Sequence, residues 1–355
     1  MALTGTGTKA DPLIAHTIEE LYAACRYVNP DVSFDDSNRV GYIEVANDLD
    51  FNDAPDFKEC PNKFITPDIR LGDTDNNKVS IDFKGHTLSN LYSFDLEGSA
   101  IGVRYDHNIR LKNAIIEAVL IDFTRYSSMA IGIGDYSTYP VFDNCDFRIK
   151  HYIYNTYSYS SSIFKMVKMI NCVVNIDIFY TSNSYIGDGA KFYPFRDIPG
   201  AGSSVSFPDK VYRAWLYNEF NIRFIYIGTS NWDSSTIPIF QGASDAITFS
   251  SIFVTSIANA ANPANIEMLS NREKTFTNCF FVMRNMNQSH KSTFYHNTGG
   301  SGSVGGVNFY DNEVCDTIDF SSISGGTMLS LTTAHCKDAA YLEDKGFVIA
   351  YDGTS

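Results

Sequence analysis

The sequence predicts an all-β solenoid closed at its start by one short helix. Three observations carry that prediction. The composition is rich in 26 Phe, 22 Tyr and 28 Asn, yet only 19 % of residues are charged. Aromatic and β-branched residues suit pleated surfaces, and Asn, Gly and Ser suit turns. Past residue 90 or so, helical periodicity gives way to short apolar-alternating runs bounded by Gly, Asn and Ser. Finally, one strand unit recurs with an asparagine at a fixed place.

The elements follow in order. Thr17 can cap a helix, with Glu20 three residues on as a capping box requires. Leu13, Ile18, Leu21, Tyr22 and Cys25 then share a face, and Asn29-Pro30 ends the helix. Gly41-Tyr42-Ile43-Glu44-Val45-Ala46 alternates like a half-buried strand. Residues 47 to 78 carry Asp-Ala-Pro, Cys-Pro-Asn and Asp-Asn-Asn breakers. Ile81-Asp82-Phe83 is a short strand before the turn Lys84-Gly85-His86-Thr87 and Leu88. This divides the chain into an N-terminal arm with capping helix (1–40), stacked coils (41–340) and a C-terminal tail (341–355).

The repeat reads apolar, any, Asn, small, any, apolar, any, apolar. It is found at Phe142-Asp143-Asn144-Cys145, Met169-Ile170-Asn171-Cys172 and Phe276-Thr277-Asn278-Cys279, and more weakly at Leu111-Lys112-Asn113-Ala114. A further copy places Ser251 where the others have Asn. Asn113 to Asn144 is 31 residues, Asn144 to Asn171 is 27, Ser251 to Asn278 is 27, and Asn278 to Asn312 is 34. The 80 residues from Asn171 to Ser251 correspond to three more steps and hold a Gly/Pro/Ser-rich insertion near 194 to 209. Asparagine tolerates the left-handed backbone of a sharp turn, and its amide can bond the next Asn along a stack. Asn113, Asn144, Asn171 and Asn278 are therefore expected to form a structural ladder, with Cys145 and Cys172 buried and reduced. Asn171→Leu is expected to cost ~1–3 kcal/mol by leaving buried partners unpaired.

Charge and cysteines narrow the function. A net charge of −14 repels phosphate backbones and anionic lipid, so neither nucleic acid nor membrane insertion is expected. The opening residues show neither a basic n-region nor an apolar h-region. Seven cysteines form an odd set without Cys-x-x-Cys spacing, which reads as reduced thiols from assembly in a cytosol.

At this point the chain resembles the right-handed parallel β-helix, or pectin-lyase-like, superfamily. The Asn-Cys strands and Ile81-Asp82-Phe83-Lys84-Gly85-His86-Thr87-Leu88 carry the resemblance over roughly residues 40 to 340. The opening Gly5-Thr6-Gly7-Thr8-Lys9-Ala10-Asp11-Pro12, leading into Thr17-Ile18-Glu19-Glu20-Leu21, looks like the start of phage tailspike and virion appendage proteins. The resemblance implies a short helix capping the first coil, and self-association as a homotrimer. It is specific for architecture, since this fold hosts lyases, hydrolases, adhesins and tailspikes.

The catalytic sets of that fold are not found. Polygalacturonase-like members use Asn-Thr-Asp, Asp-Asp, Gly-His-Gly and Arg-Ile-Lys on consecutive coils. This chain has Arg148-Ile149-Lys150 alone, and its Asp35-Asp36 precedes the coils. Outward positions one place after the small residue read Ile115, Asp146, Val173, Phe253 and Phe280; four places after the Asn they read Glu117, Arg148, Asn175, Thr255 and Val282. Neither column holds two acids on neighbouring coils, the arrangement a glycosidase needs. The insertion could supply acids from Asp188 and Asp197. Asp73-Thr74-Asp75-Asn76-Asn77 starts like a calcium loop, but Lys78 and Lys84 replace its Gly and Glu. Gly300, Gly302 and Gly305 lie in a Ser/Gly loop, not a dinucleotide-binding turn, and His290 and His296 make a poor metal signal. No catalytic residue, cofactor or metal is assigned. Tyr152, Tyr154, Tyr157 and Tyr159 pack four rings into one short segment, a candidate surface for a sugar or a protein.

The leading expectation is thus a non-enzymatic virion structural protein, a tail or capsid appendage located in the virion. Its partners would be other virion proteins, its own copies and a host surface glycan. A polysaccharide lyase or glycoside hydrolase of the same fold is the alternative, and a bacterial surface adhesin a third. The enzyme calls for two acids within ~10 Å of each other in a groove.

Overall fold

One coil shows how the sequence builds the others. Val141–Asp143 forms a short strand, and Asn144 then turns the chain with φ 57°. Cys145 points inward, and Asp146–Ile153 runs on as a strand with Phe147, Ile149, His151 and Ile153 buried and Arg148 and Lys150 exposed. Ser162–Lys165 makes a third side, Met166 turns left-handed at φ 55°, and Lys168–Ile170 begins the next coil. Asp146 pairs in parallel with Ile115 of the coil before and Val173 of the coil after. Alternation with period two keeps every second side chain in the interior.

The computed structural model describes residues 3–28, 40–53, 64–65, 78–94, 101–102, 108–122, 129–132, 139–153, 162–180, 193–200, 202–227, 236–242, 246–258, 265–269, 276–285, 292–293, 302–315, 318–319 and 323–345. Within them the chain is a parallel β-solenoid with three long sheets. The first has nine strands, from Leu13–Ala15 to Phe276–Thr277. The second has ten, from Leu49–Asp50 to Thr327–Leu331, and the third seven, from Phe64–Ile65 to Asn265–Leu269. The interior is narrow, and aromatic rings fill it by stacking from coil to coil. Phe164 stacks on Phe195 at 5.3 Å, and Phe195 on Phe240 at 4.7 Å. Phe147, Phe220 and Phe276 meet this stack edge-on.

The capping helix forms as the sequence predicts. Helix α1 spans Ile18–Tyr27; the Thr17 hydroxyl accepts from Glu20 N–H at 3.2 Å, and the Glu20 carboxylate accepts from His16 N–H at 2.7 Å. Ile18, Leu21, Tyr22, Ala24 and Cys25 are buried over the first coil. Leu13 is not on this helix. It belongs to Leu13–Ala15, which pairs with Val40–Val45, so the first sheet begins before the cap. Gly41 is needed beneath it, because a Cβ there would collide with Val28. At the other end, α2 (Thr333–Cys336) and α3 (Ala339–Asp344) follow the last strand. Leu342 packs with Phe280, Phe309 and Leu331 on the outer face of the second sheet. Helix therefore occupies part of the region read as tail.

The repeat register differs from the sequence reading in one stretch. The corners that pass from the first sheet to the second with a non-glycine residue at positive φ are Lys84, Asn113, Asn144, Asn171, Tyr217, Phe249 and Asn278. Phe249, not Ser251, holds the asparagine place, because Ser251 pairs with Glu219 and Phe280 at the start of the next strand. One coil, not two, lies between those of Asn171 and Phe249, lengthened by the insertion. Asn312 is not a corner; the coil after Asn278 turns at Gly306, where a Cβ would strike the Asn278 side chain.

Candidate functional site: a strapped cleft on the first sheet

The insertion is a strap. Val205–Phe207 and Lys210–Tyr212 pair antiparallel around Pro208-Asp209 and fold back over the outer face of the first sheet. Val205, Phe207 and Tyr212 cluster with Val40, Val141 and Ile170, so the strap crosses several coils. Under it lies Arg110, 1 % exposed. Its Nη1 donates to Asp209 Oδ1 and Oδ2 at 2.8 and 2.9 Å and to Tyr212 Oη at 3.0 Å. Its Nε donates to Ser80 Oγ at 3.0 Å, and the Phe207 ring stands 4.4 Å from the guanidinium carbon. Burial works against this charge, but Asp209 and Tyr212 outweigh it and hold the Arg110 pKa above its ordinary value.

Two more anchors hold the strap. Tyr212 Oη donates to Asp143 Oδ2 at 2.6 Å, and Lys210 Nζ lies 3.2 Å from the same carboxylate. Burial and that bond push the Tyr212 pKa well up. At the strap's base, buried Lys168 donates to the carbonyls of Gly200 at 3.1 Å, Ser203 at 2.8 Å and Arg213. Burial lowers its pKa to about 7.

The strap tip, the N-terminal arm and the sheet enclose a cleft of about 170 Å³. Glu44, Asp82 and Asp209 meet Lys9, Arg110 and Lys112 there. Lys84 Nζ stands 2.8 Å from Glu44 and 3.8 Å from Asp82, and Lys112 Nζ 3.4 Å from Asp82. Acids of neighbouring coils do therefore meet, but around a shared cation. The second sheet repeats the device: Arg148 bridges Glu117 at 3.2 Å and Asp146 at 2.9 Å. Burial raises the Asp82 and Asp209 pKa values, but bonds to Asn113 and the Lys84 N–H outweigh it for Asp82, and bonds to Arg110 for Asp209. Both end below the ordinary carboxylate range. A glycosidase proton donor needs the opposite shift. The described residues hold no group of three or more His, Cys, Asp or Glu suited to a metal.

The predicted residues fall as follows. Asn113 Nδ2 donates to Asp82 Oδ1 and Asn144 Nδ2 to Asn113 Oδ1, both at 2.8 Å. Asn278 Oδ1 accepts from Val307 N–H at 2.9 Å. Asn144 and Asn171 are exposed, so the expected cost of buried unpaired partners does not apply to Asn171. Cys145 and Cys172 are buried free thiols. Tyr152 stacks on Phe179 at 4.7 Å; Tyr154, Tyr157 and Tyr159 lie outside the described residues. So do Asp73 to Asn77, Asp188, His290, His296 and Gly300, and the side chain of Asp197. With the corners in register, the first outward column reads Ile115, Asp146, Val173, Glu219, Ser251 and Phe280, and the second Glu117, Arg148, Asn175, Asn221, Phe253 and Val282.

Sequence reading missed Arg110, Asp143, Lys168, Asp209 and Tyr212. The available signal was Val205-Ser206-Phe207-Pro208-Asp209-Lys210-Val211-Tyr212, an alternating run broken by Pro-Asp, which reads as a hairpin.

No family model matches the chain, and no curated protein matches it. Among solved structures it is similar to a "putative immunoglobulin A1 protease" from Bacteroides ovatus. The two are 11 % identical, with a TM-score of 0.38 over 96 % of this chain and 89 % of that one. A likeness at that level carries no argument about activity.

Proposed function

We propose that this chain is a non-enzymatic structural component of a virion, a tail or capsid appendage that docks on other virion proteins, self-associates as a homotrimer and meets a surface glycan. The supporting observation is that the acids gathered in the cleft surround cations and have their pKa values lowered where these move, which suits a rigid stapled rod more than a proton-transfer site. The N-terminal resemblance to virion appendages points the same way. Mass spectrometry of purified particles from cells making the chain tests this reading. Stoichiometric incorporation is expected, and its absence from particles overturns it.

The alternative, a polysaccharide-degrading enzyme, draws on one observation: Glu44 and Asp82 share a cleft across neighbouring coils. A reducing-sugar and unsaturated-product assay over bacterial polysaccharides decides it. Turnover that vanishes in Asp82→Asn replaces the structural reading with the enzymatic one.

A further inference from the structure

The corner column changes character halfway along the solenoid. Asparagine occupies the left-handed place at Asn113, Asn144 and Asn171, and tyrosine and phenylalanine take it at Tyr217 (φ 56°) and Phe249 (φ 48°). A bulky residue at positive φ is conformationally costly, and such residues persist only where something else holds them. The turn itself does not call for a ring, since asparagine makes the same turn one coil earlier. Tyr217 is 38 % exposed and stacks on Phe249 with centroids 5.7 Å apart and planes 17° from parallel. Because Phe249 covers one face of Tyr217, the other face looks along the column toward Asn171.

Among the described corner asparagines, Asn171 is the one whose amide makes no hydrogen bond. Asn113 and Asn144 bond along the column, and Asn278 accepts from Val307. Among the described residues the Asn171 carboxamide has no hydrogen-bond partner, and its backbone N–H donates to Leu216 O at 3.0 Å. Among the same residues the Tyr217 hydroxyl has no partner either. A short side chain beside a long ring makes a step in the surface, with an aromatic wall and a free amide on its floor. Val173, 37 % exposed, extends the apolar side, and Glu219 borders it, its Oε1 accepting from Asn221 at 2.7 Å.

We propose that the Tyr217–Asn171 step binds one neutral hexopyranose unit of a glycan. The C–H face of a pyranose is weakly positive and is attracted to the negative face of an aromatic ring. Its adjacent hydroxyls can both donate to and accept from a carboxamide, which offers one acceptor and two donors. The Glu219 carboxylate at the rim and the net charge of −14 disfavour uronates, sialic acids and phosphate. A single ring platform is also much smaller than the ~800 Å² per partner that a stable protein interface uses. This inference rests on the glycan-contacting side of the appendage reading and gives that contact a place.

The test is saturation-transfer NMR and calorimetry on the full chain with neutral glucose, galactose and mannose oligosaccharides and with uronate oligosaccharides. Tyr217→Asn is the informative variant, because asparagine suits the turn and the coil should still fold; circular dichroism checks that. Millimolar or tighter binding of a neutral oligosaccharide, weakened at least tenfold in both Tyr217→Asn and Asn171→Ala, is the expected result. Equal binding by Tyr217→Asn and wild type overturns this site while leaving a glycan contact elsewhere on the appendage standing. No binding by wild type, or binding of uronates alone, overturns the inference, and particle incorporation still tests the structural role separately. Self-association in sedimentation that is lost in Tyr217→Asn would assign the step to a second copy of the chain instead.

Discussion

Two kinds of corner make the same turn in this solenoid. At Asn144 and Asn171 the turning residue is an exposed asparagine, and the next residue is a buried cysteine. Each thiol rests on backbone: Cys145 Sγ donates to Leu111 O and Cys172 Sγ to Phe142 O, both at 3.5 Å. At Tyr217 and Phe249 the turning residue is aromatic, and the next is a buried polar one, Asn218 or Ser250. Asn218 Oδ1 accepts from Cys172 N–H at 2.9 Å, and Nδ2 donates to Met169 O at 3.3 Å. Ser250 Oγ accepts from Asn218 N–H at 3.2 Å and donates to Thr248 O at 3.0 Å. In the first kind the turning residue itself tolerates the backbone. In the second, a residue that disfavours it is held there by buried hydrogen bonds one position on. A left-handed corner can thus be specified from outside the solenoid or from inside it.

The sharpest way to break the second kind is to remove its inner anchor. Asn218→Leu keeps the volume but strands the buried Cys172 N–H, at ~1–3 kcal/mol before relaxation, and takes from the Met169 carbonyl the second of its two bonds. A loss of about 2 kcal/mol in urea unfolding is expected. The matching change in the first kind, Asn171→Leu, should cost less, about 1 kcal/mol. Asn171 is exposed, so only the left-handed backbone preference is lost. Equal losses in the two variants would mean that the corners do not differ in the way the hydrogen bonds indicate.

The contrast also explains what could be read from the sequence. The Asn-Cys corners are legible because asparagine advertises positive φ, and the alternation after it marks the strand. The α1 cap is legible for the same local reason, through Thr17 and Glu20. Tyr217 and Phe249 are not, since an aromatic residue locally argues against that backbone, and the buried bonds that overrule it run between coils. The sequence pattern therefore points to Ser251 as the corner and to one coil too many between Asn171 and that corner. The strap was hidden by distance: Arg110 and Asp209 are 99 positions apart, and neither has a local pattern that calls for the other. The sequence columns show no pair of acids on neighbouring coils, because Glu117 and Asp146, which meet around Arg148, stand at different offsets from the corner, and Glu44 and Asp82, which meet around Lys84, are paired in the strands before it.

A smaller effect of opposite sign should come from correcting the aromatic corners. Phe249→Asn places a residue suited to φ 48° while leaving Ser250 and its bonds intact. Relief of local backbone strain should stabilise by about 0.5–1 kcal/mol, offset in part by loss of the stack on Tyr217. A higher melting temperature for Phe249→Asn, set beside the lower one for Asn171→Leu, would place the strain at the aromatic corners. A lower one would show that the outer ring stack matters more than the backbone.

The smallest expected effect separates the two kinds of corner by pH. The asparagine column ends on Asp82, which accepts from Asn113 Nδ2 at 2.8 Å and Lys84 N–H at 3.0 Å and faces Lys112 and Lys84. Burial alone would raise its pKa, but these partners together hold it below the ordinary value. An unfolded Asp titrates near ~3.9. Asp82 therefore contributes stability that is fully present above that pH and is lost as pH falls through the lower folded-state value. The side chains that anchor the aromatic corners, Asn218 and Ser250, do not titrate in this range. Hydrogen exchange at pH 3 should then show protection falling first in 78–94 and 108–122, with 215–226 retaining its protection. Asp82→Asn keeps an acceptor for Asn113 but removes the titrating group, so its exchange pattern at pH 3 and pH 6 should match more closely than in the wild type. If 78–94 and 215–226 lose protection together in the wild type, the acid sensitivity is global and does not reside at the foot of the asparagine column.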